Sequence, residues 1–210
     1  MVFLRIAALA VCILAPFVAS AAPVFQLQAW SVTGLSNYVP NVEGILSSTT
    51  AAPDVTFESA TVPNLSGSGT TSIYSLLGSP TTGFSGSKTT KYQGSIFLIT
   101  GFIDLLAGDH SFSINADDGL RLTIGGTDVF YLHGGGSVTK TTSVTGGVMA
   151  FRLLYWLNGG GGYMNLTIDG KSASAAAAPG SEVPLPAAGM LLITALGGLG
   201  GVSAFRRRAA

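Results

Sequence analysis

The sequence predicts an all-β domain, an antiparallel sandwich or barrel, between two end segments of different character. Apolar and polar residues alternate from 111 to 124, where Phe112 and Ile114 stand among serines. This period of two is typical of strands with one buried and one solvated face. Glycine-rich turns separate short runs rich in β-branched and aromatic residues. No window of about 11 residues shows clear helical periodicity.

Successive strands are expected along most of the central segment, joined by glycine turns such as Gly125-Gly126 and Gly146-Gly147. From 36 to 86 the chain is rich in Ser, Thr, Gly and Pro, which favours long loops. The expected strands cover residues 25–32, 54–62, 93–100, 111–117, 120–125, 127–131, 137–144, 148–156 and 164–168. The expected core comprises Ile96, Leu98, Phe112, Ile114, Leu122, Ile124, Phe151, Leu153, Tyr155, Leu166 and Ile168.

Composition and charge exclude several classes of function. The 210 residues include 10 basic and 10 acidic ones, for a net charge of +0, which gives no electrostatic case for nucleic acid. One cysteine excludes an intramolecular disulfide scaffold and a cysteine-built zinc site. Residues 22–178 alone hold 6 basic and 9 acidic residues, a charge of 6 − 9 = −3. The negative net charge of this central segment therefore favours binding of a cation, which the zero net charge of the whole chain does not.

The first 21 residues have the pattern of a secretory signal peptide. Arg5 precedes an apolar run over 6–18, and Ala19-Ser20-Ala21 forms a cleavage site of small residues. Cleavage after Ala21 would remove Cys12, the only cysteine. The alternative is an uncleaved membrane anchor, for which the apolar run is short.

The C-terminal segment predicts a membrane-spanning helix over residues 187–205, which carry no charged side chain. At about 1.5 Å per residue this stretch is long enough to cross a hydrocarbon core of about 30 Å. Arg206, Arg207 and Arg208 follow, which the positive-inside rule would retain in the cytoplasm. Residues 172–182, rich in Ala, Ser, Gly and Pro, are expected to be a linker.

The order of these C-terminal features resembles the PEP-CTERM family of bacterial sorting signals. Its variant named for a Val-Pro-Leu-Pro-Ala core is matched by Val183, Pro184, Leu185, Pro186 and Ala187, so that the signal would cover 183–210. The resemblance implies a Gram-negative bacterium, an exosortase-type protease as processing partner, and transient anchoring in the inner membrane. Release to the cell surface or the biofilm matrix would follow. A plain C-terminal membrane anchor remains the alternative.

The central segment carries a second resemblance. A strand leads into Asp117-Asp118-Gly119, a second strand follows to the Gly125-Gly126 turn, and residues 147–156 form a long late strand. This ordered set resembles the PA14 family and covers residues 91–170 well. It implies a PA14-like antiparallel β-sandwich over residues 22–171.

Adjacent aspartates are poorly placed for hydrolysis of a glycosidic bond. Neighbours in an extended strand point to opposite faces, whereas the carboxylates of a glycosidase must flank the bond together. In lectin-like PA14 members, the aspartates matching Asp117 and Asp118 are joined by a cis peptide bond and hold a calcium ion. Two carboxylates balance one divalent charge, but calcium takes six to eight oxygens.

The resemblance also implies where further calcium ligands lie. The family takes an asparagine side chain and loop carbonyls from the turn after the late strand, which correspond here to Asn158, Gly160 and Gly162. Vicinal hydroxyls of a sugar would complete the set. Trp156 and Tyr163 would offer an aromatic face to the sugar ring. The alternative interpretation is structural: an aspartate turn bonded to nearby amides, a polar loop asparagine, and aromatic residues that only pack.

The expected function is therefore that of an exported, non-catalytic protein that binds extracellular polysaccharide or cell-surface glycan, with Ca²⁺ as its cofactor. The alternative is a structural protein of the surface or matrix without a sugar ligand. The run from His133 to Gly136 is similar to the oxyanion loop of lipases, but that mechanism needs a G-x-S-x-G serine elbow, which the sequence lacks. No catalytic residue is expected, and this run is interpreted as a turn.

Overall fold

The computed structural model describes residues 18–19, 22–35, 39–80, 82–180 and 183–184. Residues 22–179 form one compact unit, and the two ends of the chain form another. Of the end unit only two short strands are described, β1 (Val18–Ala19) and β14 (Val183–Pro184), which pair antiparallel. Outside the described residues lie Ala21, where cleavage is predicted, most of the predicted signal peptide, and residues 185–210. No helix among the described residues is long and apolar enough to span a membrane.

The compact unit consists mainly of antiparallel strands, with two short helices before the longest strands. All nine strands predicted from the sequence are present, with ends shifted by a few residues. In chain order the elements are β2 (Phe25–Ser31), α1 (Val39–Ser48), β3 (Val55–Ser59), β4 (Leu65–Gly67), α2 (Ile73–Leu76), β5 (Phe84–Gly86), β6 (Ser95–Leu105), β7 (Gly108–Asp117), β8 (Gly119–Ile124), β9 (Thr127–Leu132), β10 (Gly136–Val144), β11 (Gly147–Leu157), β12 (Gly162–Ile168) and β13 (Lys171–Ser172).

The strands form two sheets. The seven-stranded sheet has the order β5-β3-β2-β6-β11-β8-β9, and the five-stranded sheet has the order β10-β7-β12-β13, with β4 also paired to β12. The apolar faces of the two sheets enclose the main core, as the strand alternation predicted. Ten of the eleven predicted core residues are buried, and Leu98 is partly exposed. The fold is a β-sandwich.

Helix α1 is the main departure from the prediction of long loops between 36 and 86. Val42 is fully buried in a second apolar cluster with Leu35, Ile96, Leu154 and Trp156. Glu43 bonds to Arg121 and Arg152 of the seven-stranded sheet. The helix is thus held by tertiary contacts, because Gly44 and the two terminal serines contribute little helix propensity.

The chain after the last long strand also departs from the prediction. The linker was expected to begin at residue 172, yet Ala173 is buried and its carbonyl accepts a hydrogen bond from the amide of Val62. The amides of Ala175 and Ala176 donate to the carbonyls of Ala60 and Phe102. The alanine-rich chain therefore continues as part of the sandwich through Ala176, because small side chains let its backbone pair closely with neighbouring strands.

Strand β10 forms one edge of the five-stranded sheet, and among the described residues no strand pairs with its other side. Lys140 lies opposite Phe112, on the face of β10 that is turned toward the core. Its ammonium group donates to the carbonyl of Val129 at 3.2 Å. This lysine therefore links the edge of one sheet to β9, the edge strand of the other.

Candidate functional site

The Asp117-Asp118-Gly119 turn joins the end of β7 to the start of β8. The peptide bond between Asp117 and Asp118 is cis, as in the lectin-like arrangement expected from the sequence. Gly119 lies opposite Trp156, and a Cβ at Gly119 would stand 2.0 Å from the nearest atom of the indole ring. Only glycine fits there, so the indole fixes the path of the chain directly after the two aspartates.

The two aspartate side chains interact electrostatically. Burial raises the pKa of the Asp117 carboxyl, and the negative charge of Asp118 and a hydrogen bond between the two side chains raise it further. The charge of Asp118 therefore acts directly on the Asp117 carboxyl. Two neighbouring carboxyl groups form a hard, anionic oxygen site, which is the chemistry that calcium selects.

Asn158 lies directly against this pair. Its backbone amide donates to Asp118 Oδ2 at 2.6 Å, and the amide of Asp118 donates to the carbonyl of Trp156 at 3.3 Å. The structure thus brings together Asp117, Asp118 and Asn158, which the sequence placed about 40 positions apart. Asn158 is exposed, so its side chain lies at the surface.

The two predicted carbonyl ligands have different surroundings. Gly162 begins β12, and a Cβ there would lie 2.6 Å from the Asp117 carbonyl oxygen, so its backbone is packed against the turn. The Gly160 carbonyl oxygen lies 1.9 Å from the position that a Cβ on Gly69 would take. The glycine loop, residues 159–162, therefore packs against both the aspartate turn and the segment that follows β4. A side chain on Gly69 or Gly162 would clash with this packing.

The two predicted aromatic contacts also differ. Tyr163 is 38% exposed and lies directly opposite Asp117 in the pairing of β12 with β7, so the two side chains share the outer face of the sheet. Trp156 is 0% exposed and belongs to the apolar cluster beneath α1. Its indole does not offer a face to a ligand. The continuous apolar run over 153–157 was the signal of a strand end buried on both faces.

A buried pair of tyrosines supports the turn from below. The Tyr155 hydroxyl donates to the carbonyl of Asp117 and lies 2.7 Å from the Tyr92 hydroxyl. Tyr155 has one hydroxyl proton and donates it to the Asp117 carbonyl. The Tyr92 hydroxyl is therefore the donor in its hydrogen bond with Tyr155. Burial raises the pKa of Tyr92 to about 12 and also raises that of Tyr155, so both stay neutral donors.

Sequence analysis identified Tyr155 as a core residue but missed its role at the turn. The signal was available, since a buried tyrosine hydroxyl needs a hydrogen-bond partner. It also missed Gly135, in the connection between β9 and β10 that was interpreted as a turn. A Cβ on Gly135 would lie 2.8 Å from Asp117 Oδ1, so this loop closes over one side of the carboxyl group.

The donors fit calcium better than a transition metal. Within the described residues there is no group of three or more His, Cys, Asp or Glu side chains arranged to hold a metal ion. The candidate ligands are two carboxylates, one amide side chain and backbone carbonyls, all of them oxygen donors. Oxygen-only sets of mixed origin are typical of calcium sites.

Comparisons with known proteins agree on the fold. No family model and no characterised protein matches the sequence. The PA14 domain of the antifreeze protein MpAFP aligns with 77% of this chain and 92% of its own, at 20% identity and a TM-score of 0.62. The PA14 sugar-binding domain of an RTX adhesin aligns with 74% of this chain and 100% of its own, at 23% identity and a TM-score of 0.57.

A third similar structure is the A domain of epithelial adhesin 6 from Candida glabrata, solved with Galβ1-3GlcNAc. It aligns with 77% of this chain and 88% of its own, at 15% identity and a TM-score of 0.53. At these identities the likeness establishes the fold alone. The chain therefore has the fold of PA14 domains, a class of β-sandwich.

Proposed function

We propose that this protein is an exported, non-catalytic PA14-fold protein that binds carbohydrate through a calcium ion held at the Asp117-Asp118 turn. The observation that carries the proposal is the 2.6 Å bond from the Asn158 amide to Asp118, since it joins the aspartate turn to the loop that would complete the site. Two of the structural neighbours are named as a sugar-binding domain and an adhesin in complex with a disaccharide. These names favour a glycan as the ligand.

Each part of the site would have a distinct task. Asp117 and Asp118 would supply the negative charge, and the Asn158 side chain and the Gly162 carbonyl would supply neutral oxygens. The Gly160 carbonyl would be a ligand only if it also faces the ion from its position beside Gly69. The ion would bind two neighbouring hydroxyls of a sugar as its last ligands, and the exposed ring of Tyr163 would contact the apolar side of that sugar.

Calcium binding is tested by the thermal stability of purified protein after chelation and after calcium is restored. A ligand that binds only the folded state stabilises it by about 2.7 kcal/mol at 100 times its Kd. Asp118→Asn should remove this gain, whereas Asp104→Asn, an exposed control with the same loss of charge, should keep it. An unchanged melting temperature for the wild type in excess calcium would overturn the metal site.

Sugar binding is tested on a glycan array with calcium and with a chelator. Binding that the chelator removes and that Asp118→Asn lacks supports the proposal. A flat array from folded, calcium-loaded protein would instead favour a structural surface protein without a sugar ligand.

Export and sorting rest on the two end segments. We infer cleavage after Ala21, then cleavage by an exosortase-type protease near the 183–187 motif, with release to the surface or matrix of a Gram-negative bacterium. Mass spectrometry of the mature protein should find its start at residue 22 and its C-terminus upstream of the arginine cluster. A mature protein that keeps Arg206, Arg207 and Arg208 would contradict processing.

A further inference from the structure

The outer face of the five-stranded sheet consists of hydroxyl and amide side chains. In β7, Phe112 and Ile114 point into the core, so Ser111, Ser113 and Asn115, which alternate with them, point outward. Strand register then assigns their neighbours in β10 and β12 to the same outer face. The set, which we name the hydroxyl–amide face, is Ser111, Ser113, Asn115, Ser137, Thr139, Thr141, Asn165 and Thr167.

These side chains form rows across the strands. Asn115 lies between Ser137 and Asn165, and the next row along β7 places Ser113 between Thr139 and Thr167. Ser113 and Thr139 share a hydrogen bond of 2.7 Å. Exposed hydroxyl and amide groups both donate and accept hydrogen bonds, so each row offers both kinds of group to a ligand.

None of the eight residues of the hydroxyl–amide face is charged, although about a quarter of the residues in a typical protein are Lys, Arg, Glu or Asp. Lys140 of β10 belongs to the inward-facing set, and Lys171 of β13 lies near Asp169 at the border of the face. The charges that border the rows are carboxylates: Asp117 and Asp109 in line with them along β7, and Asp169, which accepts a hydrogen bond from the Ser111 amide. Such a surface suits a neutral polyhydroxylated ligand and disfavours an anionic one.

The hydroxyl–amide face is continuous with the candidate site. The row beyond Asn115 consists of Asp117 and Tyr163, the same pair that borders the aspartate turn. From Asp117 to Ser111 along β7 is about 20 Å at ~3.3 Å per residue, and the three strands span about 10 Å. This area exceeds the size of one sugar ring, and it begins where the proposed terminal sugar would lie.

We propose that the hydroxyl–amide face binds the body of a neutral polysaccharide whose terminal sugar is held at the calcium site. This inference rests on the proposed function and extends it, because it identifies the ligand as a chain of several sugar residues. Ser, Thr and Asn side chains would hydrogen-bond to hydroxyls of successive sugars. The calcium site alone would bind short oligosaccharides weakly. The hydroxyl–amide face would raise the affinity as the oligosaccharide becomes longer.

The test is a calorimetric or interferometric titration with neutral oligosaccharides of two to eight units. Three neutral series are used, based on galactose, glucose and mannose, and oligo-alginate is the anionic probe. In at least one neutral series we expect a tenfold or larger gain in affinity between two and eight units, and no such gain for alginate. The double variant Thr139→Arg/Thr141→Arg should remove this gain but keep disaccharide affinity and calcium stabilisation within twofold. Arginines are tolerated at these positions because β10 is an edge strand.

Thr127→Arg, an exposed threonine in a strand of the other sheet, is the matched control and should behave as the wild type. Affinity independent of chain length, a double variant that keeps the gain, or an equal gain with alginate would each overturn the inference and leave the calcium site standing. If Asp118→Asn abolishes binding and the double variant has no effect, the calcium site is supported and the role of the hydroxyl–amide face is overturned. Failure of every series in excess calcium would overturn both.

Discussion

The hydroxyl of Tyr155 donates a hydrogen bond to the main-chain carbonyl of Asp117, and it is itself bonded to Tyr92. This places a buried, neutral donor directly beneath the first of the two aspartates. The carboxyl groups above it are therefore held by a rigid core strand, β11, as well as by their own turn. Sites that bind ligands tightly depend on such support behind the residues that touch the ligand.

Tyr155→Phe should lower the free energy of unfolding by about 1–3 kcal/mol, because a buried carbonyl and the Tyr92 hydroxyl would both lose their partners. Urea denaturation measures this change. Calcium affinity should also fall, since the Asp117 backbone would be less firmly positioned. Tyr131→Phe removes a hydroxyl from a tyrosine that is 43% exposed and should change stability by less than about 0.5 kcal/mol. Equal stability of the two variants would contradict the supporting role.

Gly119→Ala should destabilise the domain by about 1–3 kcal/mol or more, because the new methyl group would overlap the Trp156 ring. Gly44→Ala is the matched control. Gly44 lies in helix α1 with nothing within 4 Å of an added Cβ, so the change should stabilise the helix by up to about 1 kcal/mol. Thermal unfolding separates the two effects. A Gly119→Ala protein with wild-type stability would show that the turn does not need this close approach.

Stability should depend on pH through His110 and Asp169, at the end of β7 remote from the aspartate turn. A hydrogen bond to Asp169 at 2.6 Å, with one to the Leu106 carbonyl, raises the pKa of His110 above 6.5. Bonds from His110 and from the Ser111 amide lower the pKa of Asp169 below 3.8. Asp109 also adds negative charge near His110, and Lys171 adds positive charge near Asp169.

The His110 contribution should be complete below about pH 6.5 and lost as the pH rises through the higher folded-state pKa. The Asp169 contribution should be complete above about pH 4 and lost as the pH falls through the lower folded-state pKa. Denaturant midpoints between pH 3 and 9 should therefore show a maximum near pH 4–6.5 that His110→Gln flattens on the alkaline side. An unchanged profile for this variant would exclude the pair as its source.

Glu43→Gln should loosen helix α1, because Glu43 accepts hydrogen bonds from both Arg121 and Arg152. The loss should be about 1 kcal/mol, since these partly exposed ion pairs are screened by water. Amide exchange should become faster in 39–48 and stay unchanged in β6. Glu58→Gln, at an exposed glutamate bonded to Gln26, is the control. Unchanged exchange in α1 would mean that Val42 and its apolar neighbours hold the helix alone.

Much of the sandwich could be predicted because its strands have one solvent-exposed face and one buried face. In β7 and β8 the alternation is a direct consequence of pairing in a two-layer fold, and both strands were found within a few residues of their predicted ends. Helix α1 could not be found in this way. Its sequence has weak intrinsic helicity, and the residues that hold it, such as Arg152, lie more than 100 positions away.

The candidate site was only partly predictable. The pair Asp117-Asp118 and the later Asn158 could be identified from the family resemblance, and the fold brings them into contact. The burial of Trp156 was missed although the continuous apolar run over 153–157 indicated it, and the helix that covers the indole could not be predicted. The closeness of Gly135 and Gly162 to the aspartates results from strand register, which no local pattern specifies.

Lys140 has a consequence for the behaviour of the protein at high concentration. Strand β10 has nine residues, and the side with which no described strand pairs is a template on which a second molecule could add a strand. An inward-directed lysine that spans to Val129 occupies the gap between the two sheet edges with a charge. An incoming strand would have to bury or displace that ammonium group. Lys140 thereby disfavours the addition of a second molecule at this edge of the sheet.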